Sequence, residues 1–192
     1  SIGAADRGTL VHEVLELFIG GVIDRPGGAP APTEAWTDAE RDRLHAIADE
    51  VFDRFEREGK TGRALLWRLE RQLVLADLDD FLDKDNAYRS AFGATPVRVE
   101  LPFGYEPAEP LTLDVGDGRT LQFRGRADRV DTTTSGHHIV LDYKTGKGDS
   151  YKKLDTDPVL AGTTLQLGLY AEAARDQIGA DDVEAYHWMI SS

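Results

Sequence analysis

Near residue 86 the spacing of apolar side chains changes from a period of 3.6 to a period of 2. A chain that switches period in this way joins a helical part to a sheet, which restricts it to α/β or α+β architectures. Upstream of the switch, Leu10, Val14, Leu17 and Phe18 fall on one stripe with Val11 and Leu15, predicting a helix from Asp6 to Ile19 that Gly20-Gly21 stop. Residues Arg25 to Pro32, rich in Pro and Gly, form a loop. Thr37-Asp-Ala-Glu40 is a capping box. It opens a second helix that buries Leu44, Ile47, Val51, Phe52 and Phe55 and ends at Gly59–Gly62. A third helix is predicted from Arg63 to Leu82, with Leu66, Leu69, Leu73 and Phe81 pointing inward.

Downstream, Val97, Val99, Leu101 and Phe103 alternate with polar residues as in a half-buried strand. Asp117-Gly118 turns the chain between a strand at Leu111–Val115 and a long strand at Thr120–Val130. Thr132–Gly136 turns it again into His138–Lys144; a helix at Leu160–Ile178 and a strand at Val183–Ile190 follow. The expected organisation is a helical lobe over 1–92 and an α/β core over 93–192, together one domain. The apolar last strand, Tyr186 to Ile190, makes a piece of a longer polypeptide the expectation.

Composition removes several classes. No apolar run approaches the roughly 20 residues that cross a bilayer, so no membrane association is expected. The first 20 residues carry Asp6 and Glu13 and lack the layout of a signal peptide. With no cysteine, these residues can supply no disulfide, thiolate zinc site or iron–sulfur cluster, and a cytoplasmic location is expected. The net charge of −13 repels nucleic acid at long range, so any DNA-directed chemistry needs local basic groups, metal ions or a partner that delivers the substrate. Gly59-Lys60-Thr61 imitates the end of a phosphate-binding loop, but residue 54 is Arg where that loop needs Gly; Gly146-Lys147-Gly148 fails on the same grounds.

The chemistry concentrates in Gly125-Arg-Ala-Asp128-Arg-Val-Asp131 and Leu141-Asp142-Tyr143-Lys144. With the turn at Thr133–Gly136, Asp128 and Asp142 come to lie close to opposite each other on antiparallel strands. Two such carboxylates repel unless a cation lies between them, and oxygen ligands of this kind suit Mg²⁺ or Mn²⁺. Lys144, two residues beyond Asp142, shares its strand face. A lone D-x-K is an ordinary turn cap or surface ion pair. Both groups inward on a strand that also carries Ile139, Val140 and Leu141 point to a task. Glu100 is a further carboxylate, expected at the surface, and His137 and His138, at the far end of the turn, are expected to face solvent. His12 alone is an ordinary surface residue, and Gln166 and Tyr170, at i and i+4, share a helix face whose ordinary role is packing.

Together these segments resemble the RecB-like branch of the PD-(D/E)XK nucleases. Arg7-Gly-Thr-Leu-Val-His12-Glu-Val-Leu-Glu16 is similar to that branch's first-helix motif, Gly125-Arg-Ala-Asp128 to the segment with the first aspartate, and Asp142-Tyr-Lys144 to its D-x-K motif. Leu165-Gln166-Leu-Gly-Leu-Tyr170 is similar to its Q-x-x-x-Y helix. The wording around Val99–Phe103, Phe123–Asp131 and Gly162–Gln166 resembles the nuclease modules of AdnAB/AddAB-type helicase–nucleases, without the four-cysteine iron–sulfur staple of some relatives. The resemblance implies a restriction-endonuclease-like mixed sheet flanked by helices and hydrolysis of DNA, single-stranded or at an unwound end. It implies Mg²⁺ or Mn²⁺ held by His12, Asp128, Asp142 and the Tyr143 carbonyl. Asp128, Asp142, Lys144, Gln166 and Tyr170 are the implied catalytic set, and a helicase motor or a companion chain the implied partner. A non-catalytic platform for DNA ends or for docking other chains is the competing expectation. Leu121 to Lys153 carries seven basic residues against four acids, so the site region is basic within an acidic chain, and Tyr151-Lys-Lys153 can grip a backbone or simply be solvated.

Overall fold

A computed structural model describes residues 1–104, 110–114, 119–145, 163–179 and 182–190. The elements in chain order are α1 (Ala4–Asp24), α2 (Asp38–Arg57), α3 (Ala64–Phe92), β1 (Ala94–Phe103), β2 (Leu111–Asp114), β3 (Thr120–Phe123), β4 (Gly125–Thr133), β5 (His138–Lys144), α4 (Thr163–Ile178) and β6 (Val183–Met189). The chain packs as two units. One comprises Ser1–Thr95, Tyr143–Lys147 and Trp188–Ser192, the other Pro96–Asp142 and Gly148–His187. Among the described residues no helix is long and apolar enough to cross a membrane.

In the first unit, α1 runs through Gly20-Gly21 rather than stopping there. Glycine costs a helix only about 1 kcal/mol. Here Val22, fully buried one residue further on, offsets that cost. Gly21 also leaves room for α2, since a Cβ there would lie 2.5 Å from the Arg43 guanidinium. Leu17, expected inside, is 49% exposed. The capping box forms as expected: the Thr37 side chain accepts from the Glu40 amide and the Glu40 carboxylate accepts from the Thr37 amide. Burial pushes the Glu40 carboxyl up, but the hydrogen bonds from Thr37 and Arg25 outweigh it and hold the group below its ordinary value. Leu44, Val51, Phe52 and Phe55 are buried as expected, while Ile47 is half-buried and Ala48 takes the inner position.

The third helix departs most from expectation. It extends ten residues past Leu82 to Phe92 and ends at Gly93, whose φ of 61° is the left-handed cap that glycine adopts at no steric cost. Phe81 is buried as expected, but Leu66, Leu69 and Leu73 are exposed, and Trp67, Val74, Leu78 and Leu82 face inward in their place. The inward stripe is the one that carries Trp67, the bulkiest side chain, which packs edge-on against Phe52 at 5.5 Å. The extra turns escape a hydrophobic reading because their buried positions are Asp85 and Arg89, each wholly inaccessible. Arg89 donates to Asp85 at 2.9 Å and to the carbonyls of Ala31 and Glu34, and Trp36 donates to Asp85 at 2.8 Å. This network ties the loop before α2 to α3.

The second unit is built on a four-stranded sheet of order β1-β4-β5-β6, beside which β2 and β3 form a two-stranded antiparallel pair. The expected long strand is divided at Arg124 into β3 and β4. Its Asp117-Gly118 turn lies outside the described residues, as does the start of the helix expected from Leu160. The alternation of β1 slips at Glu100, whose φ of 51° marks a local distortion. Leu101 and Phe103 are buried as expected, but Val97 and Val99 are only half-buried. Glu100, expected at the surface, is half-buried and paired with Arg126 at 3.0 Å. Leu101, Phe103, Val130 and Val140 form a core with Tyr170, Ala173 and Ala174 of α4.

Candidate active site

β4 and β5 pair antiparallel, with Arg129 opposite Leu141, Val130 opposite Val140 and Asp131 opposite Ile139. One further step along this register sets Asp128 across from Asp142. The two carboxylates are 8% and 4% exposed, on the strand face that Val130 and Val140 turn toward α4. Tyr170 reaches Asp142 from α4, its hydroxyl donating to Oδ1 at 3.2 Å. His187 on β6 meets the other oxygen, with Nδ1 2.9 Å from Oδ2. Two buried carboxylates with this donor chemistry fit a divalent cation. Mg²⁺ commonly uses one or two carboxylates plus water and substrate phosphate rather than a cage of protein ligands. Among the described residues, no three His, Asp or Glu side chains stand together as a ready-made metal cluster.

Tyr143 and Lys144 continue β5 into the first unit, where Tyr143 is buried between His12 and Phe81, with ring centroids 6.0 and 5.6 Å away. The first-helix motif therefore lies against Tyr143 and Thr145 within that unit. Gly8 permits the approach, because a Cβ there would lie 3.1 Å from Thr145 Oγ1. Arg7 anchors the same helix through Glu70 at 2.7 Å and Asp77 at 2.5 Å on α3. Lys144 is half-buried and two residues from Asp142 on its strand. Gln166 belongs to α4, but its side chain lies outside the described set, as do Tyr151, Lys152 and Lys153.

Two expectations are corrected by the structure, and one residue is added. Arg129, counted among the basic groups along the phosphate path, is wholly buried and makes a two-pronged pair with Asp131 at 2.6 and 2.7 Å. Lying two apart on one strand, these residues can neutralise each other only on the same face. His138 is half-buried rather than solvent-facing, whereas His137 is exposed as expected and pairs with Asp182 at 3.3 Å. His187 belongs to none of the motifs, and the sequence reading misses it. Its signal is the alternation of β6, where Val183 and Ala185 pack inward and the next residue on that face is 187.

Gly125 governs how tightly this face closes. A Cβ there would run into the ring of Phe103, which packs edge-on against Tyr170 at 5.6 Å. Gly125→Ala is expected to push Phe103 into Tyr170, costing about 1–3 kcal/mol as an overpacked core and disturbing the hydrogen bond to Asp142. Thermal unfolding and catalytic rate measured side by side check this; a variant unchanged in both would refute the tight approach.

A sheet that sets two aspartates on neighbouring strands, followed at once by a D-x-K lysine, is the framework of a nuclease-type domain. The comparisons agree. A model of the PD-(D/E)XK nuclease superfamily matches residues 1–191, and the chain belongs to that superfamily. Over 179 residues it is 31% identical to an ATP-dependent helicase/deoxyribonuclease subunit from Anoxybacillus flavithermus, covering 88% of this chain and 14% of that protein. The protein of the same name from Symbiobacterium thermophilum is 31% identical over 185 residues, 90% of this chain and 15% of its own length. The chain thus spans about a seventh of the curated relatives it matches.

Proposed function

We propose that this chain is the nuclease module of a helicase–nuclease, a Mg²⁺- or Mn²⁺-dependent deoxyribonuclease that trims DNA strands delivered to it by a motor. The observation that carries the reading is the buried Asp142, opposite Asp128 in register and held by Tyr170, within a chain matched almost end to end by the superfamily. Asp128, Asp142, His12 and the Tyr143 carbonyl would hold the ion. When bound, it supplies positive charge that polarises the phosphoryl oxygens and eases formation of a nucleophile from water. Lys144 adds a fixed ammonium on the face of Asp142 and orients the attacking water toward phosphorus. Tyr170 keeps the Asp142 carboxylate in one orientation, and Gln166, one helical turn earlier, contacts the substrate beside it. Exonucleolytic action on single strands that leaves 5′-phosphates, in the cytoplasm, completes the proposal. The acidic surface fits a module that receives DNA from a motor rather than capturing it by long-range attraction.

The test is cleavage of end-labelled single-stranded DNA with Mn²⁺, beside an EDTA control. Cleavage is expected with metal and none after chelation. Cleavage that survives EDTA would overturn the metal-dependent mechanism. No cleavage together with no calorimetric Mn²⁺ binding would favour a non-catalytic platform.

A further inference from the structure

β5 and β6 are seven residues each, and their ends are tied at matching places: His138 N–H donates to the Asp182 carbonyl, and Ile190 N–H donates to the Lys144 carbonyl. The strands therefore run parallel and in step, and the fifth residue of one neighbours the fifth of the other. Those residues are Asp142 and His187. Their side chains project on one face and meet at 2.9 Å, with only 5% and 14% of each exposed. A carboxylate only accepts hydrogen bonds, so Nδ1 is the protonated nitrogen in this contact. Tyr170 donates to the other oxygen. The carboxylate is thus gripped on both oxygens, and with about four acceptor positions in all it can accept these two donors and serve a cation as well.

We propose that His187 is a positioning residue for Asp142. Through its Nδ1–H it fixes the rotation of the carboxylate about its own axis, as holding a cation together with Asp128 would require. The inference rests on the nuclease reading and extends it to a residue outside the four motifs. The contact cannot be a by-product of helix packing, because it comes from the adjacent strand and is set by the register of the sheet.

The experiment compares His187→Ala and His187→Asn with the wild-type protein, reading Mn²⁺ affinity by calorimetry, kcat and KM for single-stranded DNA, and Tm without metal. Asparagine can place its amide N–H near the former Nδ1, so it retains the donor. Alanine removes it. The expected result is a Mn²⁺ affinity lowered about 10- to 100-fold in the alanine variant, with kcat falling and KM unchanged, and most of both losses recovered by asparagine. If alanine destabilises the fold, the asparagine variant still decides. A wild-type affinity in the alanine variant would overturn the proposal and leave the nuclease reading intact. Equal losses in both variants would also overturn it, by making His187 a ligand or a packing residue. A wild-type protein that neither binds Mn²⁺ nor cuts DNA would remove both readings together.

Discussion

Asp142→Ala is expected to lower phosphodiester cleavage by at least about 10²–10³-fold, the scale on which loss of a single electrostatic partner of the transition state is felt. Its carboxylate is the point on which the sheet, α4 and β6 converge: buried at 4%, it meets Tyr170 through one oxygen and His187 through the other. The alanine variant loses a ligand charge and also deprives two buried donors of that acceptor, a cost of about 1–3 kcal/mol each when nothing replaces it. Activity and stability therefore fall together, and a second variant separates them. Asp142→Asn keeps the volume and an accepting oxygen, so its unfolding midpoint stays closer to wild type while its cleavage stays near that of alanine. Rates on labelled DNA and thermal unfolding of the three proteins check this. Cleavage at the wild-type rate by either variant would remove Asp142 from the mechanism.

The second large effect concerns a residue outside the nuclease motifs. Arg89→Ala is expected to cost about 3–5 kcal/mol, the usual penalty for breaking a buried ion pair and leaving its partner charge unpaired. Against a total stability of about 5–15 kcal/mol, that is a substantial part of the fold. The guanidinium is wholly buried, bonded to Asp85, Asn86 and the carbonyls of Ala31 and Glu34, and it lies 4.6 Å over the Trp36 ring. Its removal strips the acceptors of the loop along with the partner of Asp85. A control is built into the same helix. Lys84 and Asp80 are also four apart, but their side chains are 55% and 50% exposed. Lys84→Ala is expected to cost only about 0.3–0.5 kcal/mol. Urea unfolding of both variants measures the contrast, and equal small losses would show that the buried network contributes nothing net.

Where expectation and structure differ, each difference comes from contacts that a linear pattern does not show. The third helix extends past Leu82 because Asp85 and Arg89 neutralise each other inside the protein, whereas a hydrophobicity pattern counts both as surface. Arg129 misleads in the same way, since its partner Asp131 is two residues away on the same strand face. Leu66, Leu69 and Leu73 form a regular stripe, yet Trp67, Val74 and Leu78 form a competing one on the same helix, and periodicity alone cannot rank two apolar faces. Gly20-Gly21 look like a stop until the passage of Arg43 and the burial of Val22 are known.

From sequence alone followed the change from helices to strands, the capping box at Thr37, the order of the nuclease motifs and the opposition of Asp128 to Asp142. Each depends on residues close along the chain or on a period that local backbone geometry imposes. Only the tertiary structure decided which face of α3 is buried, that Arg89 ties down the loop before α2, and that His187 grips Asp142 from the neighbouring strand. These depend on the register and approach of elements distant in sequence. There the energy comes from burial and from pairing charges out of water, and a linear pattern of polar and apolar residues encodes neither.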